Sequence, residues 1–173
     1  MGLTSSVYFL IGNIFVPLAI GLWLLAFTEF LFTEKRKLIL LIFTLVGIVF
    51  EIIFFSLLFL NPSLIGTLNP PVDVSYKHFI MIFLLVFVLI VVFSGLLFTR
   101  LSLKSDDPEV KLKGRLLIVA YTAFLVGALL DSSKPLNEIS VVFTRLLLIV
   151  SALFWYGGFI LPKWMRQLFL KQT

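Results

Sequence analysis

The sequence predicts an all-α integral membrane bundle of five transmembrane helices. Of its 173 residues, 61% are hydrophobic, and the mean hydropathy is +1.16. A chain this apolar cannot fold around one core and still present a wetted surface. In addition, five apolar runs each approach or exceed the roughly 20 residues that cross about 30 Å of hydrocarbon as a helix. We therefore expect a multi-pass protein of a cell membrane, with the lipid bilayer as its surroundings.

Charged residues, prolines or asparagines bound the five apolar runs. The predicted spans cover residues 6–32, 38–60, 78–99, 114–131 and 139–161. Each run is too long for a barrel strand of about 9–11 residues, and none shows the alternation that a barrel lumen requires. Little chain remains outside the spans, so we predict a single transmembrane domain over residues 1–173. The longest connection on the predicted outer side, 61–77, is expected to be a loop that serves as a lid or a spacer.

Basic residues are concentrated on alternate connections. Eleven of the fourteen Lys and Arg residues lie in the first connection, the third connection and the tail, counting Arg115 at the very start of the fourth span with the third connection. The second and fourth connections contain only Lys77 and Lys134, and Arg145 lies inside a span. Because Lys and Arg favour the cytoplasmic side, the N-terminus is predicted outside and the C-terminus in the cytoplasm. This distribution accounts for the net charge of +5 without nucleic acid as a partner.

Three polar residues inside the predicted spans form the candidate site. Glu51 interrupts the second span, "KLILLIFTLVGIVFEIIFFSLLFLN", near the middle of the membrane. Arg145 is predicted to lie roughly 9 Å below the outer end of the fifth span, and Asn13 falls at a similar outer depth. An ionised carboxylate at mid-membrane costs a few kcal/mol or more, so Glu51 must be neutral, paired or in contact with water.

Two interpretations of these three residues stay open. In the first, Glu51 and Arg145 form a pair that fixes the register of neighbouring helices, with Asn13 as an additional hydrogen-bonding group. In the second, the three residues form a ligand-responsive or proton-responsive site in a cavity that opens outward. The remaining alternative is that the three residues never meet.

Small residues at helical spacing predict close contacts between helices. The fourth span carries Ala120, Ala123 and Gly127 along one face, and the first span carries Pro17 and Gly21. Small residues allow helix backbones to approach each other in a membrane. Pro17 is also expected to kink the first span.

The sequence contains no recognised catalytic motif. There is no cysteine and a single histidine, His78, which excludes disulfides, thiolate metal sites and sites with several histidines. Zinc-protease, nucleophile-elbow and phosphate-loop patterns are missing as well. We therefore expect no catalytic residue, no metal and no cofactor, and a function other than that of an enzyme.

The block "DPEVKLKGRLLIVAYTAFLVGALLD" resembles segments in the membrane sensory regions that precede bacterial and archaeal histidine kinases. Together with "FILPKWMRQLF" it also resembles uncharacterised archaeal multi-span membrane proteins. The resemblance covers about a quarter of the chain, and only about a dozen residues follow the last span where a kinase region would begin. It implies a sensor-like or accessory bundle that acts through a partner, and it assigns no site residue.

Composition, topology and resemblance together predict a non-catalytic membrane protein. The expected role is that of a sensor-like protein, a scaffold or a subunit of a membrane complex, with a protein partner or a second copy of the chain in the membrane. The alternative is a small oligomeric transporter or ion-pathway protein that uses a polar site at Glu51 and Arg145.

Overall fold

A computed structural model describes residues 4–69, 73–133 and 138–170 of the chain. The helices are α1 (Ser5–Asn13), α2 (Val16–Leu31), α3 (Arg36–Leu60), α4 (His78–Leu103), α5 (Pro108–Ser133), α6 (Glu138–Ile160) and α7 (Lys163–Phe169). Two short strands, β1 (Gly66–Asn69) and β2 (Asp73–Tyr76), follow a 3-10 turn at Pro62–Leu64. Five helical segments, with α1 and α2 taken as one, are long and apolar enough to cross a membrane. The predicted all-helical architecture with five such segments is confirmed.

The first apolar run is divided into two helices. α1 ends at Asn13 and α2 begins at Val16, with a turn at Ile14 and Phe15 between them. Pro17 has no backbone N–H to donate to the carbonyl of Asn13, and its ring crowds that carbonyl. Regular α-helical hydrogen bonding resumes by Ala19, whose backbone N–H donates to the carbonyl oxygen of Phe15 at 2.9 Å. The break therefore lies one turn before the proline, where a proline kink is expected.

The chain divides into two compact units, Met1–Val91 and Val92–Thr173, and the boundary falls within α4. Aromatic side chains form the core of the first unit. The buried ring of Phe50 on α3 lies 5.2 Å from the ring of Phe83 and 5.7 Å from that of Phe87, both on α4. Tilted and edge-on contacts of this kind add to the free energy of burial. These rings hold α3 against the first half of α4.

The connection between α3 and α4 forms a β-hairpin, which the sequence analysis treated as a loop. β1 pairs antiparallel with β2, and Gly66 lies opposite Tyr76. A Cβ atom at Gly66 would lie 2.7 Å from the carbonyl oxygen of Ser75, so this close approach of the strands requires glycine. Residues 70–72 of the connection lie outside the described residues. The structure thus gives the connection a fold of its own.

In the second unit, α5 and α6 pack side by side as an antiparallel pair. Ser151 Oγ on α6 donates a hydrogen bond of 2.9 Å to the carbonyl oxygen of Ala120 on α5. A Cβ atom at Gly127 would lie 2.8 Å from Leu148, and one at Gly158 would lie 2.5 Å from Leu117. The absence of a side chain at both glycines therefore allows the two helices to approach closely.

A sharp turn connects α6 to α7. Leu161 adopts a left-handed conformation with φ of 48°, and the following residue, Pro162, cannot continue the helix. Leu161 joins a small apolar cluster with Met165 of α7 and with Leu112 and Leu116 of α5. Burial of these side chains offsets the strained backbone and folds α7 back onto the beginning of α5.

Candidate functional site

Asn13 is fully buried and bonds within the first unit. Its Nδ2 donates to the carbonyl oxygen of Phe9 at 2.8 Å and to the hydroxyl oxygen of Tyr76 at 3.1 Å. The ring of Tyr76 also lies 6.4 Å from that of Phe9. Asn13 thus connects α1 to the hairpin. Tyr76 was not among the predicted site residues, because the connection that carries it was expected to be a loop.

Arg145 has an acidic partner within the second unit. Its guanidinium Nη2 lies 3.3 Å from Oδ1 of Asp131, near the end of α5. The two residues are fourteen apart in sequence, and an antiparallel pair of helices with a short connection brings such positions face to face. This pair could have been predicted from that separation in the sequence. A contact between Arg145 and Glu51, which would join the two units, stays a prediction.

Glu51 lies in a groove between α2 and α3, with a cavity volume of about 700 Å³. The groove extends along α3 from Leu40 to Phe55, about 22 Å at 1.5 Å per residue. Its lining is apolar except for Glu51 and Thr44. Glu51 lies one helical turn from the Phe55 end, so the carboxyl group is near one end of a long apolar surface.

Small residues determine where α2 and α3 touch and where the groove opens. A Cβ atom at Gly47 would lie 3.4 Å from Cβ of Pro17, and one at Gly21 would lie 3.7 Å from the ring of Phe43. Glu51 follows Gly47 by one turn and therefore lies on the same face of α3. Pro17 and Gly21, which the sequence analysis assigned to helix packing, thus lie at this contact and line the groove.

The carboxyl group of Glu51 is incompletely satisfied. Its Oε2 atom is buried and has no hydrogen-bond partner among the residues that the structure describes. The apolar neighbours along the groove offer no donor, and Thr44 lies about two turns away along α3. A buried polar oxygen without a partner is unfavourable, so this oxygen is suited to accept a hydrogen bond from a group that enters the groove.

The packing residues predicted in the fourth span lie on α5. Ala120 is buried and accepts the hydrogen bond of Ser151, and Gly127 contacts Leu148 of α6. Ala123 is half-buried. Together with the Asp131–Arg145 pair, these contacts make one face of α5 the surface that meets α6.

Two further ion pairs lie near helix ends, and none of their four residues lines the groove. Glu29 of α2 pairs with Arg36 of α3, and Glu109 of α5 pairs with Arg166 of α7. Within the described ranges, no group of three or more His, Cys, Asp or Glu residues is arranged to hold a metal ion. Lys134 and Lys171, which entered the charge count, lie outside the described residues.

We expect the Asp131 and Arg145 substitutions to be energetically coupled. Asp131→Asn and Arg145→Leu should each lower the melting temperature in detergent, and the double variant should lose less than the sum of the two. The reason is that each single change leaves one member of the pair uncompensated. The coupling energy should stay below about 2 kcal/mol, as is typical of polar contacts in membranes. Strictly additive losses would show that the pair contributes nothing.

The same double-mutant cycle with Glu51→Gln and Arg145→Leu tests the sequence-based pair. A double variant that loses less than the sum of the single variants would show that Glu51 and Arg145 interact. Additive losses would show that Glu51 and Arg145 do not interact. Arg145 would then pair with Asp131 alone, and Glu51 would face the groove without a basic partner.

No protein-family model, curated protein or solved structure matches this chain. The resemblance to sensory regions and to archaeal membrane proteins therefore remains an expectation.

Proposed function

We propose that the protein is a multi-pass protein of a cell membrane that acts without catalysis, as a sensor-like protein, a scaffold or a subunit of a membrane complex. Its N-terminus lies outside and its C-terminus in the cytoplasm. Five helices of spanning length and apolar character support the location, and the alternating basic connections support the orientation. The binding role is supported by the α2/α3 groove.

The groove supports this proposal because it is open along its length, on the exposed surface of α2 and α3. Leu18, Leu22 and Ile52 line it and are each about 60% exposed. In a bilayer, a surface of this kind faces lipid or another membrane-embedded chain. The molecule that binds in the groove therefore enters it from the membrane. A sensor of membrane components and a subunit of a membrane complex would both bind such a molecule.

Site-specific photocrosslinking tests this role. A photoreactive amino acid at Leu22, in the groove, should give a discrete adduct of defined mass in the native membrane. The matched control is Leu41 of α3, which is not among the residues that line the groove: Leu22 is 59% exposed and Leu41 is 58% exposed. Random lipid capture should be similar at both positions. Identical adducts from the two positions would contradict a binding role for the groove.

The alternative function is a small oligomeric transporter or ion-pathway protein. The buried Oε2 atom of Glu51, which has no hydrogen-bond partner among the described residues, favours it, because intramembrane carboxyl groups commonly bind ions or protons along a pathway. Purified protein in liposomes distinguishes the two functions. A proton flux above that of empty liposomes, lost in Glu51→Gln, would place transport ahead of the subunit role.

A further inference from the structure

We infer that the α2/α3 groove binds an amphiphile with a protonated amine, whose ammonium group donates to Glu51 while its alkyl chain lies along the groove. This inference rests on the proposed function, since it names the occupant of the same groove. Three observations carry it: the shape of the groove, the position of its single acidic group, and the depth of that group along α3.

The groove has the size and lining of a site for a small apolar molecule. Its volume of about 700 Å³ lies within the roughly 300–1,000 Å³ typical of ligand pockets. The lining consists of side chains such as Leu22, Leu25 and Ile48. A medium-length alkyl chain fits a surface that is long, apolar and open along one side, and it can enter directly from the hydrocarbon.

The carboxyl group in the groove determines which ligand headgroup fits best. Within the part of the chain that the structure describes, Glu51 is the one ionisable residue that lines the groove. An ammonium group supplies both a positive charge and several hydrogen-bond donors, and charge-assisted hydrogen bonds are stronger than neutral ones. An alkyl alcohol supplies one neutral donor. An ionised fatty acid supplies no hydrogen-bond donor and would place its negative charge beside the carboxyl oxygens of Glu51.

The depth of Glu51 excludes the headgroup of an ordinary bilayer lipid. Glu51 lies nine residues before the end of α3 at Leu60, about 13 Å, and fifteen residues after its start at Arg36, about 22 Å. If α3 spans the bilayer, the carboxyl group lies within the hydrocarbon, below the level of phospholipid amines. The ligand must therefore be a single-chain amphiphile that is small enough to carry its amine into the groove.

Binding of dodecylamine to the full chain in phosphatidylcholine nanodiscs tests the inference. Native mass spectrometry should show one saturable dodecylamine per chain, and dodecanol and dodecanoic acid should bind more weakly. Glu51→Gln should raise the dissociation constant for dodecylamine at least about tenfold, because it removes a hydrogen bond to a charged group. Glu29→Gln is the matched control: it removes the same charge from a residue that pairs with Arg36 outside the groove, and should leave binding unchanged.

A second variant keeps the test decisive if Glu51→Gln does not fold. Leu22→Trp adds bulk to the exposed lining of the groove and should also weaken dodecylamine binding. Unchanged binding in a folded Glu51→Gln or Leu22→Trp variant, or equal binding of dodecanoic acid, would overturn the inference. A discrete protein adduct from Leu22 without dodecylamine binding would show that a membrane partner occupies the groove. That result would overturn the amine ligand and leave the proposed function standing.

Discussion

Replacing Gly95 with alanine is expected to lower the melting temperature of the protein strongly. A Cβ atom at this position of α4 would overlap the ring of Tyr121 on α5. Tyr121 cannot easily move aside, because it is fully buried and its ring packs edge-on against Trp155, at a centroid distance of 5.5 Å. Overpacking of this kind costs about 1–3 kcal/mol or more. In a chain of this size, each kcal/mol lowers the melting temperature by about 2–4 °C.

Gly21→Ala on α2 is the matched control for this prediction. Its added Cβ atom would lie 3.7 Å from the ring of Phe43, an ordinary contact distance. Alanine also has the higher helix propensity, so this variant should be neutral or slightly stabilising. Thermal unfolding in one detergent, followed by circular dichroism, compares the two variants. An equal or smaller loss for Gly95→Ala would show that α4 and α5 do not pack at Gly95 as described.

The presence of the five helices could be predicted from the sequence more accurately than the residues at which they begin and end. Long apolar runs identify five spanning segments because no other fold buries so much apolar surface in so short a chain. The ends depend on hydrogen bonds that hydropathy does not report. α4 continues to Leu103, beyond the predicted limit of 99. α5 begins at Pro108, six residues before the predicted span of 114–131. At this start, the backbone N–H of Glu109 donates to Oδ1 of Asp107 at 2.8 Å.

The candidate site could be predicted only in part, because sequence gives the depth of a residue more readily than its direction around the helix axis. Depth alone suggested that Glu51 and Arg145 could meet. The structure adds the direction of each side chain within its own unit: Glu51 faces the α2/α3 groove and Arg145 lies beside Asp131. The contact between Asn13 and Tyr76 also depends on the hairpin, whose four-residue strands are too short for a periodic signal.

Cysteine labelling should show an all-or-none difference between the two sides of the membrane. The chain contains no cysteine, so a single introduced thiol is the only reactive one. Ser63→Cys lies in the connection predicted outside, and Asp106→Cys lies in the basic connection predicted in the cytoplasm; both positions are exposed. Ser63→Cys should react with an impermeant maleimide added to intact cells. Asp106→Cys should react only after the cells are permeabilised.

This labelling experiment tests the central claim, that the chain crosses a membrane five times with its N-terminus outside. Permeabilisation controls for burial, because a thiol that reacts only afterwards is accessible but on the inner side. We expect intact cells to label Ser63→Cys and to leave Asp106→Cys unlabelled. Labelling of Asp106→Cys but not of Ser63→Cys in intact cells would reverse the orientation, and labelling of both or of neither would contradict the alternating topology.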